Sequence, residues 1–139
     1  MDFIRARACM LATTLMVLLL VGCSATNRTV KPIQPGDVKA LAGNWNGTFT
    51  GPGGTTIQGA VIQINPDGTY VARAGSYSSS GVTQVKDGKL MLVPQSSTGG
   101  ASTVGRTSEA TLYTLGDGGS ALAGSGNSEN GPFNFEVRK

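Results

Sequence analysis

Residues 55–74 read TTIQGAVIQINPDGTYVARA, and this stretch decides the fold class. On either side of Asp67-Gly68 every second residue is apolar, which is the period of a β-strand with one buried face. An Asp-Gly pair favours the positive φ angles of a tight hairpin turn. The stretch therefore predicts an antiparallel hairpin. Its inward face consists of Ala60, Ile62 and Ile64 before the turn and of Tyr70, Ala72 and Ala74 after it.

The same pattern recurs along the chain and predicts eight strands. They span residues 43–50, 55–65, 69–76, 81–86, 89–95, 104–115, 120–125 and 132–138. The connections are too short for helical crossovers, so neighbouring strands should run antiparallel. In an up-and-down arrangement, the Asp-Gly turns at 67–68, 87–88 and 117–118 fall at one end of the sheet. Longer connections at 51–54, 76–80, 96–102 and 126–131 fall at the other end.

Eight up-and-down strands can close into a barrel in which the first and last strands pair and no edge stays exposed. We therefore predict an all-β fold, an eight-stranded antiparallel up-and-down barrel. A β-sandwich or an open curled sheet is the alternative. A barrel of this size is filled by its own side chains or holds one small ligand. The small inward residues Gly47, Ala72 and Ala74 favour an internal cavity.

A family resemblance begins at the first predicted strand. The segment Gly43-Asn44-Trp45-Asn46-Gly47-Thr48, followed by Asp67-Gly68-Thr69-Tyr70 and Asp87-Gly88-Lys89-Leu90, resembles the opening of lipocalin-type (calycin) domains. The resemblance covers residues 43–93, and beyond them only Arg138 is a candidate for an arginine-bearing closing motif. It implies a lipocalin-like barrel in which Trp45 plugs the closed end.

The first 22 residues have the composition of a secretory signal peptide. Arg5 and Arg7 precede an uncharged stretch from Ala8 to Gly22, which is too short to span a bilayer as a helix. The stretch ends in Leu20-Val21-Gly22-Cys23, which resembles the bacterial lipobox. That resemblance implies a lipoprotein that is cleaved before Cys23 and carries lipid on its thiol and an acyl chain such as palmitate on its amino group. An ordinary signal peptide that ends near a cysteine is the alternative.

These features divide the chain into three parts. Residues 1–22 are the signal peptide, residues 23–40 are the lipidated N-terminus and a flexible tether, and residues 41–139 are the barrel domain. The tether is expected because residues 24–40 show no apolar periodicity and contain Pro32, Pro35 and Gly36. By resemblance to sorting signals of lipoproteins, Ser24 in place of an aspartate favours the outer membrane and the periplasm.

The composition argues against most catalytic chemistry. The chain has no His, and it has no free thiol once Cys9 is removed and Cys23 is lipidated. We therefore expect no catalytic residue, no metal and no cofactor. The carboxylates Asp67, Asp87 and Asp117 fall at one end of the barrel. They form an acidic cluster, a weak calcium site or simply tight turns, and we favour turns. Basic residues are scattered, so nucleic acid is not an expected partner.

Three functions remain. The first is a non-enzymatic binding or structural module that is held on the membrane by its lipid and contacts another envelope component through Gly- and Ser-rich loops. The second is a lipocalin-like carrier of a small apolar ligand, with Trp45, Tyr70 and Phe135 as ligand contacts. The third is a carboxylate-dependent hydrolase, which we rank last.

Overall fold

The computed structural model describes residues 27–139, so the predicted signal peptide and the lipobox-like residues with Cys23 lie outside the described residues. Nine strands and two short helical segments are present in the described part. The strands are β1 Arg28–Val30, β2 Gly43–Thr50, β3 Thr56–Ile64, β4 Thr69–Ala74, β5 Tyr77–Lys86, β6 Lys89–Thr98, β7 Ser108–Leu115, β8 Ser120–Ser128 and β9 Gly131–Arg138. A 3-10 turn, Pro35–Asp37, leads into the helix α1, Val38–Leu41.

Strands β2 to β9 form a closed, eight-stranded antiparallel barrel with up-and-down topology. Each strand pairs with its neighbours in sequence, and β2 pairs with β9, where Phe49 lies opposite Phe135. This pairing removes the two edges that an open sheet would leave exposed. The predicted barrel is confirmed, and neither a sandwich nor an open curled sheet forms.

The barrel interior consists of the alternating residues that the sequence pattern places on one face. Burial of one large apolar side chain stabilises a fold by about 1.5–3 kcal/mol relative to exposure, so this core supplies most of the driving force. The buried cluster includes Trp45, Ile62, Ile64, Tyr70, Leu90, Leu92, Leu112, Leu122, Phe133, Phe135 and Val137.

The two ends of the barrel differ in their connections. At one end, which we call the closed end, lie the turns at residues 65–68, 87–88 and 116–119, as predicted from the Asp-Gly pairs. At the other, the open end, lie residues 51–55, 75–76, 99–107 and 129–130. The expected long connections at 76–80 and 126–131 are wrong, because Ser78, Ser79 and Ser80 pair with β6 and Gly126 to Ser128 pair with β9.

The tether predicted for residues 24–40 is also wrong over its described part. Strand β1 pairs with β7, and Arg28 lies opposite Leu115. This edge is free because the pairing of β6 with β7 begins with Leu90 opposite Ala110 and leaves the end of β7 unpaired on that side. The Ile33 side chain is 1% exposed and joins the core, as does Leu41 of α1. Residues 28–41 therefore cover the closed end of the barrel.

Candidate binding site at the open end

Three aromatic rings line a pocket at the open end, which we call the mouth pocket. Phe49 of β2 stacks with Tyr77 of β5 at 6.1 Å between ring centroids, and it meets Phe133 of β9 at 5.2 Å. We call these three residues the aromatic trio. The pocket has a volume of about 240 Å³, and its remaining lining is uncharged: Pro52, Gly100, Ala101, Thr103, Ser128 and Asn130.

Glycines of β8 make room for the rings of β9. Gly126 lies opposite Phe133, and a Cβ added to this glycine would clash with the Ser108 hydroxyl oxygen and would lie 2.7 Å from the Phe133 ring. Gly124 lies opposite Phe135, and an added Cβ would clash with that ring and would lie 2.6 Å from the backbone oxygen of Glu109. Both distances are too short for real atoms, so these two glycines fix the position of the aromatic side chains.

An inner cavity of about 50 Å³ lies on the other side of the aromatic trio, which lines both spaces. Tyr70, Phe135, Ala72 and Ala74 contribute to its wall. Pockets for small molecules typically occupy about 300–1,000 Å³, so the inner cavity has room for little more than a few water molecules. The trio thus separates a small interior from a larger, solvent-facing mouth.

Residues 99–107, which we call the cover loop, fill a gap in the barrel wall beside the mouth. The gap exists because β6 and β7 pair over only three positions, from Leu90 with Ala110 to Leu92 with Ser108. Thr103 is 3% exposed, and its hydroxyl lies 2.7 Å from the Tyr77 hydroxyl. The Glu129 amide donates to the Ser102 oxygen at 3.0 Å. Hydroxyl and backbone contacts therefore hold the cover loop against the trio.

Tyr70 is 3% exposed and lies in the wall of the inner cavity. Burial raises the pKa of its phenol above the ordinary value of 10.0, hydrogen bonding with Ser79 opposes this shift, and the neighbouring Tyr77 adds to it. The charged form is disfavoured because the surrounding walls cannot solvate it. An uncharged mouth above an apolar interior suits an apolar or aromatic group with a few polar contacts.

The ligand contacts proposed from the sequence fall in two places. Tyr70 and Phe135 line the inner cavity. Trp45 lies at the closed end, where it is 1% exposed and its Nε1 donates to the Leu41 oxygen at 2.8 Å. Gly47 does not open the cavity as expected: an added Cβ would lie 2.8 Å from the Val137 Cα, so this glycine allows close approach of β2 and β9.

The cover loop and its Thr103 were missed by the sequence analysis, which placed a strand at 104–115. Strand β7 begins only at Ser108. Gly105 has a φ of 76°, and the Arg106 amide donates to the Thr103 oxygen at 2.9 Å, so the chain turns before the strand begins. The Gly99-Gly100 pair together with Gly105 was the available signal for a loop here.

Two of the three turn aspartates accept hydrogen bonds within their own turns. Asp67 accepts hydrogen bonds from the Thr69 hydroxyl at 2.7 Å and from the Thr69 amide at 2.9 Å, and these bonds lower the pKa of its carboxyl. Asp117 accepts from the Gly119 amide at 2.8 Å, and Asp87 adopts a φ of 53°. Within residues 27–139, no group of three or more His, Cys, Asp or Glu side chains could hold a metal ion. The geometry favours the turn interpretation over an acidic cluster.

Comparison of the chain with protein-family models, with curated proteins and with solved structures gives no match. No helix within the described residues is long and apolar enough to cross a membrane. The candidate site is therefore argued from its own geometry.

Proposed function

We propose that this protein is a lipid-anchored, non-enzymatic binding protein of the bacterial cell envelope that receives an apolar group of another envelope component in its mouth pocket. The aromatic trio carries the proposal. Aromatic side chains supply large contact areas at binding surfaces, and those of Phe49, Tyr77 and Phe133 stand together at an uncharged mouth.

The sizes of the two spaces favour contact at the mouth over enclosure in the barrel. The inner cavity measures about 50 Å³, whereas the mouth pocket measures about 240 Å³. A mouth of that size accepts one aromatic or branched aliphatic group but not a whole ligand of ordinary size. The Gly- and Ser-rich connections around it supply adaptable polar contacts at the rim.

The anchor and the family relation are parts of the same proposal. The lipobox-like residues 20–23 support lipidation of Cys23, and Ser24 supports a place on the outer membrane facing the periplasm. Two or more acyl chains make such an anchor stable. A lipocalin-like origin of the barrel is supported by the position of Trp45, which lies buried beneath α1 at the closed end.

Site-specific photo-crosslinking in cells tests the mouth. Benzoylphenylalanine at position 77 lies in the aromatic trio, and the same probe at position 113 is the matched control, because Tyr113 is also a half-buried tyrosine but lies on the outer wall beneath Arg28. We expect an adduct of one defined mass at position 77 and none at position 113. Adducts that are equal at both positions, or absent from both, would contradict the proposal.

Carriage of a small apolar ligand is the second candidate, favoured by the inner cavity next to the mouth, whose wall includes the predicted ligand contacts Tyr70 and Phe135. Native mass spectrometry of protein purified from its own membrane would then show a co-purifying molecule of low mass. The crosslinking experiment separates the two candidates as well, since a carrier gives a small-molecule adduct at position 77 and a contact protein gives a macromolecular one.

A further inference from the structure

We infer that the closed end of the barrel is the surface of the anchored protein that faces the lipid bilayer, so that the mouth pocket opens away from the membrane. The inference rests on the lipid anchor of the proposed function and adds the orientation that this anchor imposes. It follows from where the described chain begins, which is at the closed end.

The start of the described chain is fastened to the closed end. A Cβ added to Gly116 would lie 3.4 Å from the backbone oxygen of Asn27, so Asn27 lies against the turn between β7 and β8. Strand β1 runs antiparallel to β7 and enters the barrel from beyond this turn. Arg28 fixes the start of β1 to the barrel wall. Its guanidinium lies 3.3 Å from a Glu136 carboxylate oxygen and 4.5 Å from the centre of the Tyr113 ring.

The distance from Cys23 to this entry point is limited by covalent geometry. Three residues, Ser24 to Thr26, separate Cys23 from Asn27, and the four Cα–Cα steps between these two residues span at most about 14 Å when fully extended. The eight-residue strand β2 alone extends over roughly 26 Å along its length. A lipidated Cys23 therefore holds the closed end near the headgroups and leaves the open end about one barrel length farther from them.

Charge does not set this orientation. Charges around the closed end are nearly balanced, with seven basic and six acidic residues when the ion pairs are included. Arg28 and Arg138 pair with Glu136, and Lys89 pairs with Glu109. The other charged residues are Lys31, Lys39, Lys86, Lys139, Asp37, Asp67, Asp87 and Asp117. Attraction to anionic lipids grows with the number of unbalanced basic residues near the surface. We therefore expect the same orientation on zwitterionic and anionic vesicles, at low and at high salt.

The test uses two variants of the mature, membrane-purified protein, one labelled with a fluorophore at the closed end and the other labelled at the open end. Because the lipid occupies the Cys23 sulfur and Cys9 leaves with the signal peptide, an added cysteine is the only site for labelling. Lys39→Cys labels α1 at the closed end, and Val104→Cys labels the cover loop, where Val104 is 48% exposed. Each labelled protein is added to phosphatidylcholine vesicles that carry a nitroxide on the lipid headgroup.

We expect the label at position 39 to lose most of its fluorescence and the label at position 104 to lose none, with or without anionic lipid. Equal quenching, or stronger quenching at position 104, would overturn the orientation. A flexible insertion of about 20 residues between Ser24 and Asn27 should remove the difference, because its root-mean-square length approaches that of the barrel. A difference that survives the insertion would overturn the chain-length argument.

A mass measurement distinguishes failure of the proposed anchor from failure of the proposed orientation. The intact mass of the purified protein is measured before any vesicle is added, and a mass without acyl chains overturns the proposed anchor and the orientation together. An acylated protein with equal quenching at both positions overturns the orientation alone.

Discussion

At the closed end the barrel is sealed by large apolar side chains, whereas at the open end three aromatic rings stand beside glycines and hydroxyl groups. Trp45, Ile33 and Leu41 are each at most 5% exposed at the closed end. At the open end, Phe49 and Tyr77 remain partly exposed, and the buried Thr103 is held by hydroxyl groups. One barrel thus has a sealed end and an end with accessible aromatic surface.

The difference suggests a division of labour between the two ends. Local stability follows the density of buried apolar contacts, and binding surfaces come from the less stable parts of a fold. The closed end should therefore dominate global stability, while the open end tolerates change at its rim. Substitutions at matched positions of the two ends test this division directly.

The largest effect is expected for Trp45→Ala at the closed end. The substitution removes a side chain that is 1% exposed and also the hydrogen bond from its indole to the Leu41 oxygen. Loss of a buried aromatic side chain typically costs about 3–5 kcal/mol. Chemical denaturation measures the free energy of unfolding.

Phe49→Ala at the open end is the control for Trp45→Ala. Because Phe49 is only partly buried, we expect a loss of about 1–2 kcal/mol in the free energy of unfolding. Equal losses of unfolding free energy in the two variants would contradict the proposed difference between the two ends.

A smaller effect is expected for Gly124→Ala, which tests whether the glycines of β8 position the aromatic rings of β9. The new methyl group would meet the Phe135 ring and the Glu109 backbone oxygen, so strand or ring must move. Overpacking of this kind costs about 1–3 kcal/mol.

Gly36→Ala is the matched control for Gly124→Ala. No atom lies within 4 Å of a Cβ added to Gly36, so the change in the free energy of unfolding should stay within about 0.5 kcal/mol. Near-ultraviolet circular dichroism of both variants reports the aromatic packing. An unchanged aromatic signal in Gly124→Ala would show that β8 glycines do not place the rings.

The barrel was accessible to sequence analysis because its signals are local. Alternation in residues 43–50 and three Asp-Gly pairs each act within a few residues, and the observed strand β2 has the predicted bounds. Ile33 was missed because a single apolar residue has no period, and its burial depends on the free edge of β7. Likewise, Ser78 to Ser80 look like a loop by composition, but pairing with β6 makes them a strand.

The candidate site was less accessible, since it depends on contacts between distant segments. Tyr70 and Phe135 follow from the inward alternation, and both line the inner cavity. The mouth depends on the stacking of Phe49 with Tyr77 and on the burial of Thr103, which lie far apart in the chain. No local pattern predicts these contacts between distant strands and a loop, so the Asp-Gly turns of the closed end were easier to predict than the mouth pocket.

The smallest expected effect tests whether water reaches the inner cavity, which lies between the two ends. Burial raises the pKa of Tyr70 above 10.0, so the folded state disfavours its charged form. The resulting stability is complete below the unfolded pKa and is lost as the pH rises through the folded pKa. Tyr70→Phe should therefore unfold less readily than the parent protein under alkaline conditions, as followed by circular dichroism against pH. Tyr113→Phe on the outer wall controls for the loss of one phenol. If Tyr70→Phe and the parent lose stability in parallel above pH 10, water reaches the Tyr70 hydroxyl, and the inner cavity is continuous with the mouth in solution.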